Sequence, residues 1–201
     1  NKLDHYIYTV MVRGQLVRIK PNTRTCELLL KKVGTSTRPD ACDSYCAFSP
    51  VKGQENMLYI AMAEGNQIWR VDVGNLEGKD KKTYPGEGYA GKAIVEGQIA
   101  GKGWEDGLLR NAKFNNPHQI CFTEDGKLYI ADCGNNCDTR LSIDKATVST
   151  PIGLPGMKGY KDGGPDIAMF NHPFGVAVSA DGQIVYVADT GNKVIRKLSI
   201  E

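Results

Sequence analysis

The chain has 201 residues, with 25 Lys or Arg against 23 Asp or Glu and a formal net charge of +2. That length suffices for one domain with an apolar core, and the near-balance of charge is not the footprint of a strongly nucleic-acid-binding surface. No apolar run reaches membrane-spanning length, which excludes a helical span within these residues.

Taken in chain order, the sequence reads as short strands separated by turn signals. Tyr6–Val10, a turn at Arg13-Gly14, Gln15–Ile19 and Thr25–Leu30 form a first group. Tyr45–Pro50, Leu58–Ala61, a Gly65-Asn66 turn and Gln67–Val71 form a second. The Lys- and Gly-rich stretch from Gly74 to Gly101 reads as a surface loop. After Pro117 come His118–Thr123, the turn Glu124-Asp125-Gly126, Lys127–Asp132, a Gly134-Asn135 turn, Thr139–Asp144 and Ala146–Ile152. The last group is Phe174–Ser179, Ala180-Asp181-Gly182, Gln183–Asp189, Gly191-Asn192 and Lys193–Ile200. Asp-Gly and Gly-Asn between β-branched runs predict hairpins, because these residues tolerate positive φ, and no segment carries a long 3.6-residue amphipathic period.

The last two groups are copies. Asp106-Gly107 falls on Asp162-Gly163, Ala112 on Ala168, Phe114 on Phe170 and Pro117 on Pro173, each 56 residues apart; Asp132 then falls on Asp189, and Arg140 is paired with Arg196. Arg18 and Arg70 extend that series upstream, and Glu64 is read as the replacement for the Asp. A repeat of this length, made of four short antiparallel strands, is the unit of a stacked or radial all-β architecture.

The motif set D-G, A-x-F-N-x-P, D-G-x-[LI]-Y-[VI]-A-D, G-N and I-R, carried by Asp106 to Arg140 and by Asp162 to Arg196, resembles the NHL repeat. The resemblance implies a β-propeller of four-stranded antiparallel blades, with four blades at roughly 1–34, 42–98, 104–153 and 160–201. NHL-like propellers usually have six blades, and the chain opens and stops within blades. The expectation is therefore a fragment of a longer chain, completed by missing blades or by self-association. The repeat variant resembles those of exported bacterial, Bacteroidetes-type proteins with an upstream immunoglobulin-like IPT/TIG domain. This implies a non-catalytic module, periplasmic or on the cell surface, that binds protein or glycan. The alternatives are a metal-dependent propeller hydrolase or lyase and an RNA-binding NHL domain.

The candidate binding face comprises Trp104, His118, Tyr160, His172 and Phe174. Trp104 and Tyr160 are equivalent aromatics able to stack on a sugar or anchor a partner; His118 and His172 sit in the F-N-x-P segment but at non-equivalent positions, which argues against a metal cluster. His5 has no repeat partner. Asp132 and Asp189 invite a calcium reading, against a structural one in which each accepts hydrogen bonds from its own turn. Asp106 and Asp162, each before a Gly, are read the same way. The recurring arginines are either strand-packing residues or a basic ring for phosphate or RNA. Cys42 with Cys46 and Cys133 with Cys137 are disulfide candidates, free thiols or thiolate ligands of a metal, in spacings unusual for zinc; Cys26 and Cys121 read as small core residues. No catalytic, metal or cofactor fingerprint is present.

Overall fold

A computed structural model describes residues 4–11, 14–31, 33, 44–76, 87–91, 101–179 and 181–199. The first sheet orders β1 (Ile7–Val10), β2 (Leu16–Lys20) and β3 (Thr25–Leu30). The second orders β4 (Ser44–Phe48), β5 (Met57–Met62), β6 (Gln67–Asp72) and β7 (Glu87–Ala90). The third contains β8 (Gly107–Leu108), β9 (Pro117–Phe122), β10 (Lys127–Asp132), β11 (Cys137–Ser142) and β12 (Thr147–Ile152), in spatial order β8-β12-β11-β10-β9. The fourth orders β13 (Pro173–Val178), β14 (Ile184–Asp189) and β15 (Val194–Ser199). Two strands depart from the sequence expectation. β7 lies inside the stretch read as a loop, and β8 lies at the Asp-Gly segment read as a turn.

Apart from β8, which pairs with β12, strands pair antiparallel with their sequence neighbours within each sheet, as tight hairpins dictate. β1 packs on β4, β4 on β9 and β9 on β13, so the sheets follow one another with their leading edges together. Side-chain alternation explains the packing between them. On β5, Leu58 and Ile60 join a core shared with the first sheet, whereas Tyr59 and Ala61 join one shared with the third. On β10, Leu128 and Ile130 face the second sheet, and Tyr129 and Ala131 the fourth. Both faces are covered, so the Leu-Tyr-Ile-Ala runs are apolar throughout rather than alternating. Phe114 and Phe170, fully buried, fill the gaps between the second and third and the third and fourth sheets. On β14, Val185 and Val187 face the third sheet, while Tyr186 is 39% exposed.

The registers correct the arginine series. Arg18 stands opposite Tyr8, Arg70 opposite Tyr59 and Arg140 opposite Tyr129. The residue opposite Tyr186 is Lys197; Arg196 stands opposite Val187. The two copies are 57 residues apart from Asp132 onward, so Arg196 occupies the place of Thr139 and points to the other face, because a shift of one residue reverses a strand side chain. Glu64 does not replace the Asp: Met62, opposite Gln67, takes the place of Asp132, opposite Cys137.

The hairpin turns differ in detail from the expectation. Positive φ falls on the fourth turn residue, Asn66, Asn136 and Lys193, and not on Gly134 or Gly191. Those two glycines answer a close approach instead: a Cβ on Gly134 would lie 2.5 Å from Asn115 Cγ, and one on Gly191 would collide with Asn171. The Asp-Gly turns do need positive φ, +83° at Gly126 and +71° at Gly182.

Candidate functional site

Three rings meet where the leading strands come together. Tyr45, His118 and Phe174 are each the second residue of β4, β9 and β13. The His118 ring lies 3.9 Å from that of Phe174 and 5.9 Å from that of Tyr45, centroid to centroid. His118 is buried, and Tyr45 and Phe174 are 41% and 37% exposed. The arrangement is an aromatic ledge with a buried imidazole at its centre, suited to stacking contact. His118 and Phe174 were legible in the sequence. Tyr45 was missed because no Pro marks the start of β4, although its place at the head of a leading strand was a usable signal.

The other candidate residues lie elsewhere. Trp104 and Tyr160, 50% and 64% exposed, sit toward the outer edges of the third and fourth sheets. Trp104 Nε1 donates to Thr150 Oγ1 on β12 at 2.9 Å. The Tyr160 ring lies 5.1 Å from the Arg196 guanidinium. His172 has φ +48°; its backbone N–H donates to Asn136 Oδ1 at 2.9 Å, and its Nδ1 is 2.8 Å from Asn171 Oδ1. Asn116, at the same place one sheet earlier and also at positive φ, donates its N–H to Asn66 Oδ1 at 2.9 Å. The two positions are therefore joints between successive sheets, which explains why His172 and Asn116 match each other. Among the described residues no three His, Cys, Asp or Glu side chains are placed to share a metal ion.

Asp132 and Asp189 organise these joints. Asp132 Oδ1 accepts the Asn115 N–H at 2.8 Å and Oδ2 accepts Asn135 Nδ2 at 2.7 Å. Asp189 repeats both contacts, with the Asn171 N–H and Asn192 Nδ2 each at 2.8 Å. Each acid thus ties its own turn to the segment entering its sheet, the role of a structural acceptor. Complete burial pushes Asp132 up to about 8, overcoming the lowering by its Asn115 and Asn135 donors. Asp106 does more than shape a loop: its carboxylate accepts the N–H (2.9 Å) and hydroxyl (2.8 Å) of Thr150. Asp162, its copy, instead pairs with Arg196.

Of the three readings open for the cysteines, the described ones take that of free thiols. Cys133 and Cys137 are free, buried thiols. Cys137 stands opposite Asp132 in the ladder and Cys133 belongs to the turn, so the two are not a cross-strand pair. Burial pushes the Cys133 thiol up to about 11, and burial with the nearby Asp132 and Asp138 carboxylates pushes Cys137 higher still. Cys46 is also free, with its thiol raised by burial, and Cys42 lies outside the described residues. Cys26 is exposed, contrary to the core reading, and Cys121 is half-buried. Brief iodoacetamide treatment of the native chain should therefore alkylate Cys26 and leave Cys133 and Cys137 unmodified by peptide mass spectrometry. Equal labelling of Cys137 and Cys26 would contradict this burial.

Residues 114–137 match the family model described as NHL repeat. The chain is 28% identical over 142 residues to Protein SUPPRESSOR OF QUENCHING 1, chloroplastic, of Arabidopsis thaliana, covering 71% of this chain and 13% of that protein. It resembles a solved structure from Bacteroides ovatus described as an auxiliary nutrient binding protein (TM-score 0.79, 21% identity, 99% of this chain and 46% of the other). It also resembles one described as a putative gluconolactonase (TM-score 0.61, 15% identity, 98% of this chain and 56% of the other). The chain thus spans about an eighth of the plant protein and about half of each solved chain. These likenesses establish an all-β propeller-type fold.

Proposed function

We propose that this chain is a non-catalytic binding module of an exported bacterial protein, and that Tyr45, His118 and Phe174 form its recognition surface for a glycan, with a protein loop as the competing ligand. The observation that carries the reading is the convergence of these rings from three successive leading strands, the outer two half exposed. Flat apolar faces of this kind stack on sugar rings or receive aromatic anchors. The likeness to a nutrient binding protein supports both binding and export; periplasm and cell surface are equally compatible with it. Trp104 and Tyr160, toward the outer edge, stand outside this surface.

Calorimetric titration against a panel of oligosaccharides tests the proposal. Phe174→Ala and Tyr45→Ala should each weaken binding about tenfold or more, while Trp104→Ala leaves it unchanged. Binding that survives both substitutions would remove this surface from consideration. The likeness to a putative gluconolactonase favours a second reading, a propeller hydrolase; lactone or ester turnover that requires added divalent metal would replace the binding reading.

A further inference from the structure

The aromatic ledge has a polar neighbour. On β13, Pro173 stands opposite Asp189 and Gly175 opposite Ala188, so Phe174 is the extra residue of a bulge. The β9 ladder shifts in the same interval, between Pro117 opposite Asp132 and Ile120 opposite Ile130. A bulge re-aims the side chain it carries, here toward the stacked pair of His118 and Phe174. The β4 ladder has no such shift, and Tyr45 stands opposite Ala61. Tyr45 therefore holds the ladder place of Gly175, and Gln119, 56 residues before Gly175, is the matching residue of β9. At one level, three successive leading strands thus carry a phenol, an amide and no side chain.

The bare backbone at Gly175 positions the amide. A Cβ there would lie 2.9 Å from Gln119 Oε1 and 3.0 Å from Ala188 Cβ. Gly175 does not have positive φ, so the close approach alone calls for glycine. Gln119 reaches across the seam between the third and fourth sheets and sets its terminal amide against the residue that follows Phe174. The residue is exposed. A primary amide offers two N–H donors and an acceptor oxygen without charge.

We propose that Gln119 is the specificity-determining residue of the ledge and that its ligand is a neutral pyranose. The sugar ring stacks on Phe174, and two adjacent hydroxyls, one accepting and one donating, pair with the Gln119 amide. This inference rests on the glycan reading of the ledge. An aromatic face accepts the apolar side of many sugars, whereas an amide left unpaired by the wrong ligand penalises binding. The amide is therefore what tells one sugar from another. Tyr45, Gln119 and Phe174 bring no positive charge, so the carboxylate of an acidic sugar finds no counter-ion among them.

The test is calorimetric titration of the whole chain with the neutral tetrasaccharides of glucose, mannose, galactose and xylose, and with the tetrasaccharide of galacturonic acid. At least one neutral sugar should bind, and the galacturonic one about tenfold or more weaker. Monodeoxy analogues of the tightest neutral binder should include one that loses about tenfold in affinity. Gln119→Leu should cost the parent sugar the same factor and should bind parent and that analogue equally. Gly175→Ala displaces the amide and should cost as much as Gln119→Leu, with the double variant no weaker than either alone. A Gln119→Leu variant that keeps both affinity and discrimination, while Phe174→Ala abolishes binding, overturns this inference and leaves the ledge reading standing. So does a variant that weakens parent and analogue by the same factor, since Gln119 would then act only on the structure. Galacturonic tetrasaccharide bound as tightly as the neutral ones overturns the ligand class. Sugar binding untouched by Phe174→Ala, or no sugar binding at all, overturns the ledge reading together with this one.

Discussion

Arg196→Met should destabilise the protein by about 3 kcal/mol, the range for breaking a buried ion pair from one side. The guanidinium is almost fully buried and lies 5.0 Å from the Phe170 ring centroid. It donates to Asp189 Oδ2 at 3.2 Å, to the Met169 carbonyl at 3.2 Å and to the Lys161 carbonyl at 2.9 Å, and it pairs with Asp162. Methionine restores the stem but none of the donors. Asp189, with no exposed surface, loses its counter-charge and keeps, among the described residues, Asn171 and Asn192. Arg196→Lys should recover only part of the loss, because a single ammonium cannot reproduce a fork that spans four acceptors. Arg140→Met is the informative control. If Arg140 and Arg196 were true equivalents the two losses would match, whereas the registers predict a loss of less than about 1 kcal/mol for the half-buried Arg140. Urea denaturation of the three variants decides it.

Asp138→Asn should act in the opposite direction and raise stability at neutral pH by about 2 kcal/mol, the scale of a buried charge left without a partner. Asp138 has no exposed surface, and among the described residues neither carboxylate oxygen has a hydrogen-bond partner. It stands opposite Ala131 and Ile152, in the apolar seam between the third and fourth sheets. Ile68 and Ile195 occupy its place in the neighbouring sheets, opposite Ala61 and Ala188. Burial, reinforced by the Asp132 and Asp189 carboxylates, holds its acid well above the usual carboxylate range. The sign follows by linkage. A carboxyl whose folded-state value is raised gives its full contribution below the unfolded value, about 3.9, and the contribution is lost as pH rises toward the folded value. The parent chain should therefore lose stability from about pH 4 upward, with Asp132 adding to the loss up to about pH 8. The Asn variant should show a shallower decline and should converge with the parent near pH 4. Thermal melts across that range provide the measurement. A variant that melts lower than the parent at pH 7 would show that Asp138 has a partner worth more than its burial cost.

The candidate site was only partly legible for a definite reason. His118 and Phe174 follow Pro117 and Pro173, and the proline fixes where each leading strand begins. Tyr45 follows no such marker, and its place beside His118 depends on how β4 and β9 come together, which no local pattern encodes. Trp104 and Tyr160 were matched to each other and grouped with His118 and Phe174 on one binding face, whereas the structure sets them toward the outer strands, beside Thr150 and Arg196. Equivalence along the chain says that two residues share a place, but not where that place is.

The amino-acid sequence by itself determined the strands other than β7 and β8, their hairpins and their repetition, since Asp-Gly turns, β-branched runs and the A-x-F-N-x-P segment act over a few residues. Tertiary structure decided which face each side chain took. One added residue after Gly182 moves Arg196 out of the register position held by Arg18, Arg70 and Arg140 into a buried network with Asp189 and puts Lys197 in its stead. In a strand, a step of one residue exchanges the two faces, and only the pairing of one strand with the next fixes that step.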